Sequence, residues 1–305
     1  MKPVVIAIAA GTVACGLGAY AWRQEHRPRI LEAYIFSMKS GFSMLIRTPD
    51  DKRILIDGGA SGDVVQAVTS VLPFYSRRID AVLATNDDDR YMSGLVDVVS
   101  RYSVGQAYLP GVTLQSLGLA SSTGQAYAAL LREIEARGIA KTDLKAGDSV
   151  PLDASTTLDV LFPAKAGSFA YSRASGPQVI FRISCDATSI LYFGDASPKI
   201  QKFVASSTRE SDASTMNGRN GQATVLIVTE SATPDNLAAK LMDTFAPSHL
   251  VFAKPVKSAG SPKKKPAPDP LATIPAEQRF DIRDGRTIKI VSDGTRLSIG
   301  YEEGK

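Results

Sequence analysis

Apolar residues recur along this chain with two different periods, and the alternation between them predicts a mixed α/β fold. Short apolar runs bounded by turn residues indicate strands, whereas apolar residues at every third or fourth position indicate helices. The predicted strands cover residues 31–36, 43–47, 53–56, 79–84, 157–162, 179–183, 189–193, 224–228, 250–253, 287–292 and 296–301. The predicted helices cover residues 63–76, 92–102, 124–137 and 234–245. The two strand-rich halves predict two sheets that carry helices on their outer faces.

Two stretches interrupt this succession of strands and helices. Residues 206–222 are polar and rich in glycine, which predicts a loop. Residues 255–275 contain many prolines together with four lysines, which predicts an extended, solvated linker. These lysines are Lys257, Lys263, Lys264 and Lys265. A contact of the lysines with phosphate or lipid is the alternative, although three adjacent lysines without aromatic neighbours are a weak signal for nucleic acid.

The N-terminal segment differs in character from the rest of the chain. Residues 3–22 contain no charged side chain and are long enough to span the hydrocarbon core of a bilayer. We expect either a permanent anchor, with Tyr20 and Trp22 at the membrane interface, or a signal peptide cleaved near residues 19–21. Residues 1–29 are therefore predicted to form a membrane anchor or signal segment, and residues 30–305 a single folded domain.

The composition excludes several classes of site. The net charge is +4 from 35 basic and 31 acidic residues, which does not make the chain a polycation that coats nucleic acid. The two cysteines, Cys15 and Cys185, exclude a disulfide-stapled scaffold. With two histidines, His26 and His249, one chain cannot build a site of three imidazoles, and zinc hydrolysis at a histidine-rich site is excluded.

Four stretches resemble the metallo-β-lactamase superfamily, and within it the hydrolase-like domain of the competence protein ComEC and its stand-alone relatives. They are ILIDGG at 54–59, LPFYSRRID at 72–80, ATNDDDRYMSGL at 84–95 and LYFGD at 191–195. The resemblance covers most of the chain after residue 30. It implies a four-layer αββα sandwich of the metallo-β-lactamase type, with the active site between the two sheets where the strand ends meet.

Laid over this chain, the metal motif of the family, Thr-His-x-Asp-x-Asp-His, is degenerate. Thr85 matches the first position, and Asp88 keeps the first aspartate. Asn86, Arg90 and Tyr91 replace the first histidine, the second aspartate and the last histidine. Every nitrogen ligand of the motif is therefore lost, although zinc prefers nitrogen and sulfur ligands.

Some of the other sequence motifs of the family are present in this chain and others are not. The later Gly-Asp strand end is intact at Gly194 and Asp195, and the structural Asp-Gly-Gly stretch is Asp57, Gly58 and Gly59. The segment that carries two histidines in the family falls at residues 229–232, where this chain has Glu230 and no histidine. The early family loop, Asp-Val-Gly-Gln-Gly-Asp-Ser, has diverged at residues 37–43.

These replacements lead to the hypothesis that Arg90 fills the volume of the lost zinc. A guanidinium can neutralise carboxylates by bidentate pairing, and Arg90 is expected to pair with Asp88 or Asp195. Removing one partner of such a buried pair would cost about 3–5 kcal/mol of stability. No metal cofactor is expected, although zinc serves the intact relatives. Asp88 and Asp195 remain weak candidate ligands.

Two further interpretations of the acidic run stay open. In one, Asp88 caps the helix that follows while Asp87 and Asp89 are solvated. In the other, the oxygens of Asn86 and the aspartates hold magnesium, manganese or calcium, which the positive charge of Arg90 opposes.

The expected function is non-catalytic. The resemblance implies an extracytoplasmic binding or scaffold domain, held on the cell membrane by a single span or exported after signal cleavage. Its partner would be an intact paralogue or DNA near an uptake machine. The arginines after residue 22 favour a cytoplasmic domain by the positive-inside rule, which is the alternative orientation. The alternative function is a nuclease-like or phosphodiesterase-like hydrolase with manganese or magnesium bound by Asp88, Asp195 and Glu230.

Overall fold

The computed structural model describes residues 29–73, 75–111, 125–164, 169, 178–211, 225–229, 237–253, 274–282 and 286–302. Several features expected from the sequence lie outside these residues: the apolar segment 3–22, His26, Glu230 and the four lysines of the proline-rich stretch. In the described part of the chain, no helix combines the length and apolarity that crossing a membrane requires.

The described strands form two sheets. Their bounds are β1 Leu31–Ile35, β2 Met44–Arg47, β3 Arg53–Ile56, β4 Arg78–Leu83, β5 Ser103–Pro110, β6 Ala140–Leu144, β7 Ser149–Pro151, β8 Thr156–Phe162, β9 Ile180–Cys185, β10 Thr188–Gly194, β11 Val225–Val228, β12 His249–Phe252, β13 Arg279–Asp281, β14 Thr287–Ser292 and β15 Leu297–Glu302. The first sheet has the order β15-β14-β1-β2-β3-β4-β5-β6, and the second has the order β13-β12-β11-β10-β9-β8-β7. The prediction of two sheets is confirmed.

The parallel pairing of strands within each sheet determines which strand ends lie next to one another. In the first sheet β3 to β6 run parallel to one another, and in the second sheet β10 to β13 do so. The carboxyl ends of these strands therefore gather at one edge of each sheet. This is the edge at which ligands bind in open α/β sheets.

The side chains of the second sheet point alternately to its two faces, and the buried ones form two separate clusters. In β10, Ile190 and Tyr192 belong to the cluster shared with the first sheet. Leu191 and Phe193 belong to the cluster that contains the apolar side of the helices after β10 and β11. Because successive side chains of a strand point to opposite faces, one face of this sheet meets the other sheet and the opposite face meets helices.

Four of the five described helices agree with their predicted positions except at the ends, whereas the helix that begins at Pro198 was not predicted. The five helices are α1 Asp63–Val71, α2 Asp89–Arg101, α3 Gln125–Ala136, α4 Pro198–Ser211 and α5 Ala239–Phe245, with a 3-10 turn at Ala276–Gln278. α1 ends five residues earlier than predicted because Pro73 disfavours a helical conformation at Leu72, which is extended. α3 is followed by Gly138, whose φ of 63° is the left-handed conformation that glycine commonly adopts after a helix.

Two predictions for loops and strands were wrong. The proposed loop at 206–222 overlaps α4, whose last turns are polar; Ser206 and Ser207 donate to the carbonyls of Lys202 and Phe203, which satisfies both hydroxyls inside the helix. The remainder of that stretch, from residue 212, lies outside the described residues. Strands β5, β6, β7 and β13 were not predicted at all.

The turn after β3 packs backbone against backbone on α2. Gly58 N donates to Tyr91 O at 2.8 Å, and Gly94 N donates to Gly59 O at 3.0 Å. A Cβ added at Gly58 would stand 2.2 Å from Leu95 N, and one at Gly94 would stand 1.9 Å from Gly58 O. Only glycine permits this approach, so the Gly58-Gly59 pair fixes how α2 sits against β3.

We expect Gly58→Ala to lower the free energy of unfolding by about 3 kcal/mol, since the added methyl meets backbone that cannot rotate away. Gly300→Ala is the matched control, because nothing lies within 4 Å of a Cβ at Gly300. Urea unfolding of both variants measures the difference. Equal stability of the two variants would contradict the close packing.

Candidate functional site

The candidate site lies where the carboxyl ends of β3 and β4 face those of β10 and β11. Asp57 follows β3, and Thr85 lies two residues after β4. Asp195 and Thr229 follow β10 and β11. Val179 N, just before β9, donates to Thr85 O at 2.5 Å and so joins the second sheet to the loop after β4. The strand ends that the resemblance places together therefore do meet in space.

A buried carboxylate organises these strand ends. Asp57 is 0% exposed. Its Oδ1 accepts from Thr85 N at 2.7 Å, and its Oδ2 accepts from Thr85 Oγ1 at 2.6 Å. Tyr192 Oη donates to Oδ2 across 3.4 Å from the other sheet. Ser43 Oγ donates to the Asp57 carbonyl at 2.9 Å, which adds the loop between β1 and β2 to the same centre.

Burial controls the protonation of this carboxyl group. Desolvation raises the pKa of Asp57 to about 7, although the hydrogen bonds from Thr85 and Tyr192 stabilise the charged form and oppose the shift. Desolvation also raises the pKa of Tyr192 well above its ordinary value, so the phenol stays protonated and donates. The site therefore holds one acidic group that titrates near neutral pH in its interior.

Tyr192 is a site residue that the sequence reasoning missed. Its ring stacks on Phe181 with centroids 4.9 Å apart and an interplanar angle of 18°, and it meets Phe42 at 5.1 Å. The signal was present, because Tyr192 lies two residues before Gly194 in a predicted strand and on the opposite face from Phe193. Its side chain therefore points towards the first sheet.

Asn86 and Asp88 are used within the loop that starts α2. Asn86 Oδ1 accepts from Asp88 N at 2.9 Å. Asp88 is the N-cap of α2, and its Oδ1 accepts from Arg90 N at 2.9 Å. The interpretation of Asp88 as a helix cap is thereby confirmed. Both side chains satisfy backbone groups of their own loop, which is the usual task of Asn and Asp at a helix start.

Arg90 pairs with Asp88, but the pair is not buried. Arg90 Nη2 lies 2.8 Å from Asp88 Oδ2, and Nε lies 3.1 and 3.2 Å from the two carboxylate oxygens. Their side chains are 47% and 34% exposed. The expected cost of 3–5 kcal/mol for breaking a buried pair was therefore wrong, because solvent screens an ion pair at this exposure.

Electrostatics in this loop are dominated by the same pair. Partial burial raises the pKa of Asp88, but the hydrogen bonds and charge of Arg90 outweigh it, and the pKa lies below its ordinary value. The hydrogen bond to Asp88 raises the pKa of Arg90, to which the negative charge of Asp195 also contributes. Arg90 thus lies in the field of both carboxylates while it pairs directly with Asp88.

Asp87 and Asp89 are not the solvated residues that one interpretation predicted. Asp87 is 9% exposed. Asp89 Oδ1 accepts from Ala126 N at 3.0 Å and so holds the first turn of α3. The run of aspartates therefore consists of groups that support local structure.

Tyr91 lies in the interior and joins the two halves of the molecule. It is 1% exposed, and its Oη lies 3.2 Å from Thr229 Oγ1 at the end of β11. Arg90, the preceding residue, is directed to the surface. The residue that replaces the last histidine of the motif thus connects α2 to the second sheet by a phenol.

The described side chains do not fit a zinc ion. Of the nitrogen and sulfur donors, His249 begins β12 and Cys185 ends β9, both at the edge of the second sheet opposite the site. Asn86 and Asp88 are held by their loop, and the cation of Arg90 stands beside Asp88. In the described ranges, no three His, Cys, Asp or Glu side chains form a group that could hold a metal. We therefore derive no chemical step through a metal.

Comparisons with known proteins identify a fold. No protein-family model matches the chain, and no curated protein matches it. The diiron β-hydroxylase CmlA from Streptomyces venezuelae is 15% identical with a TM-score of 0.44, over 74% of this chain, which spans 44% of the CmlA chain. A putative metallo-β-lactamase from Thermotoga maritima is 16% identical with a TM-score of 0.40, over 64% of this chain and 95% of that one.

Zn²⁺-bound PqqB from Methylobacterium extorquens has a TM-score of 0.50 over 84% of this chain and 99% of PqqB, at 12% identity. PqqB is a metallo-β-lactamase-fold protein. This protein has the metallo-β-lactamase fold. The fold explains why β3, β4, β10 and β11 end at a shared site. A likeness at this identity concerns the fold, and the chemistry follows from the residues that occupy the site.

We expect Arg90→Ala to lower the free energy of unfolding by about 1 kcal/mol or less, as for other solvent-exposed ion pairs. Asp88→Ala also removes the helix cap and should cost about 1 kcal/mol, whereas Asp88→Asn keeps a good cap and should cost less than Asp88→Ala. Urea unfolding of the three variants separates the cap from the ion pair. A loss of several kcal/mol in Arg90→Ala would restore the buried-pair hypothesis.

Stability should fall as the pH rises from about 4 to about 7, by on the order of 3–4 kcal/mol at most, because folded Asp57 keeps a proton that the unfolded chain releases. Asp57→Asn cannot titrate and should lose this part of the pH dependence. Asn also tolerates the positive φ of 54° at position 57. Urea unfolding across this pH range measures the slope.

Asp63→Asn is the control for the change in net charge, because Asp63 is 45% exposed at the start of α1. The same slope in wild type and Asp57→Asn would mean that Asp57 is ionised throughout the range.

Proposed function

We propose that this protein is a non-catalytic metallo-β-lactamase-fold protein that acts as a binding or scaffold domain. One observation carries the proposal: the residues at the ligand positions of the motif have structural tasks. Asn86 and Asp88 order the start of α2, Arg90 pairs with Asp88, and Tyr91 contacts Thr229 in the interior. Asn86, Arg90 and Tyr91 thus each make a contact within the protein in place of the metal coordination that the motif serves in the family.

The chemistry of hydrolysis supports the same proposal. Hydrolysis by a metallo-hydrolase near neutral pH uses a water that the bound metal activates by lowering its pKa. The described site offers Asp57 as an interior acid with a pKa of about 7, but its oxygens are enclosed by Thr85 and Tyr192. Asp57 is 0% exposed, so a substrate has no path to it without opening of the site.

The proposal also covers the cellular location of the protein and its binding partner. The resemblance to the hydrolase-like domain of ComEC supports an extracytoplasmic domain, and the apolar residues 3–22 support a single membrane span, or export if the segment is cleaved. An intact paralogue or DNA near an uptake machine are the partners consistent with that resemblance. Nucleic acid has the weaker support, because the chain is not strongly basic.

We expect the purified full-length protein, after dialysis against zinc, manganese and magnesium and removal of free ions, to retain less than about a tenth of an equivalent of each metal. Mass spectrometric metal analysis gives the stoichiometry. A zinc metallo-β-lactamase treated in parallel controls for loss of metal during handling.

The competing hydrolase requires Asp88, Asp195 and Glu230 to converge on one ion. About one equivalent of manganese or magnesium, lost in both Asp88→Asn and Asp195→Asn, would establish that hydrolase and contradict the non-catalytic proposal. Asp63→Asn serves as the matched variant, since it removes one exposed carboxylate that is not among the three proposed ligands.

A further inference from the structure

The described chain begins at the end of the sandwich opposite the candidate site. β1 and β2 are antiparallel with Glu32 opposite Arg47, so Arg29 lies next to the turn that joins β2 to β3. Arg29 Nη2 is 3.9 Å from Asp50 Oδ1 in that turn. The described part of the chain therefore starts at this end.

The segment before β4 lies at the same end. β3 and β4 are parallel, and Arg53 N, at the start of β3, donates to Asp80 Oδ2 at 3.0 Å. The Arg53 guanidinium also donates to Ser76 Oγ. We name the surface formed by Arg29, the 48–53 turn and residues 75–78 the Tyr75 end.

The Tyr75 end combines an aromatic ring with cations. Tyr75 is 73% exposed and is the large hydrophobic side chain that stands out as exposed in the described ranges. Arg77 and Arg78 are exposed beside it, and the side chains of Arg29 and Lys52 are 65% and 48% exposed. Arg29 pairs with Asp50, and Lys52 and Arg78 pair with Asp80, so the charge of these three cations is partly neutralised within the surface. Tyrosine is enriched at membrane interfaces, and arginine and lysine are attracted to anionic headgroups.

The short stretch of chain between the apolar segment and β1 limits how far the Tyr75 end can lie from a bilayer. Six residues separate Trp22, the end of the apolar segment, from Arg29. The chain between them extends at most about 25 Å. If residues 3–22 are inserted, the domain is held close to the lipid surface with the Tyr75 end as its point of attachment.

We propose that the Tyr75 end rests on an anionic lipid surface, with Tyr75 among the headgroups and Arg77 on lipid phosphates. The candidate site then faces away from the bilayer, at a distance of about 20 Å set by the six residues of β4. This orientation depends on insertion of residues 3–22 and is independent of whether the site is catalytic.

The test uses the full chain in vesicles of phosphatidylcholine and phosphatidylglycerol that contain brominated lipid, which quenches nearby tryptophan. Trp22→Phe removes the one native tryptophan, and Tyr75→Trp then places a single reporter at the proposed contact. Lys39→Trp is the matched control, because Lys39 is 89% exposed in the loop between β1 and β2, at the site end. We expect quenching at least about threefold stronger for Tyr75→Trp, since bromine quenches only over short distances.

A separate pair of variants tests whether the positive charge of Arg77 contributes to the lipid contact. Arg77→Glu in the Tyr75→Trp background should weaken the quenching, and so should vesicles of phosphatidylcholine alone. Arg132→Glu makes the same change of charge on an exposed position of α3 and should leave the quenching unchanged. Urea unfolding confirms that each variant is folded before it is compared.

Three results would overturn the proposal. Equal quenching at positions 75 and 39, or stronger quenching at position 39, would exclude this orientation. Equal effects of Arg77→Glu and Arg132→Glu would exclude a specific contact. Quenching that is the same without phosphatidylglycerol would exclude recognition of anionic lipid. Metal analysis of the same preparation reports on the proposed function separately.

Discussion

The buried carboxylate of Asp57 is the interaction on which the arrangement of the site depends. Through Thr85 it holds the loop after β4, and through Tyr192 it holds the second sheet. Because Asp57 itself has a positive φ, the chain turns sharply after β3 and brings Gly58 against α2. A single side chain thus couples three elements of the fold.

Side-chain contacts join the two halves of the sandwich at the candidate site. Tyr91 meets Thr229, and Tyr192 meets Asp57 between Phe42 and Phe181. Each neutral hydrogen bond contributes about 1 kcal/mol net. Burial of an aromatic ring adds about 2–3 kcal/mol. These contacts provide a physical route by which the fold persists with Asn86 and Arg90 in place of ligands.

Much of the fold could be predicted from the sequence because most strands and helices have clear apolar periods. β5 was missed because Gly105 and Ala107 are weak strand formers and because its outward residues are only partly exposed. The end of α4 was read as loop because its serines are polar, and their hydrogen bonds to preceding carbonyls are visible only in three dimensions. The pattern of apolar and polar residues along the sequence does not show that a polar side chain is hydrogen-bonded within a helix.

The site was less predictable than the fold, and Arg90 and Tyr91 show why. Both align with metal-ligand positions of the motif in the resemblance, and the sequence alone does not show that their side chains point in different directions. On α2, however, successive residues are about 100° apart around the axis, so Arg90 reaches solvent while Tyr91 enters the core. Two neighbouring residues therefore form an exposed ion pair with Asp88 and a buried contact with Thr229. Within the described part of the site, the side chains of Arg90 and Asp88 are therefore open to solvent, whereas those of Tyr91 and Asp57 are enclosed in the interior.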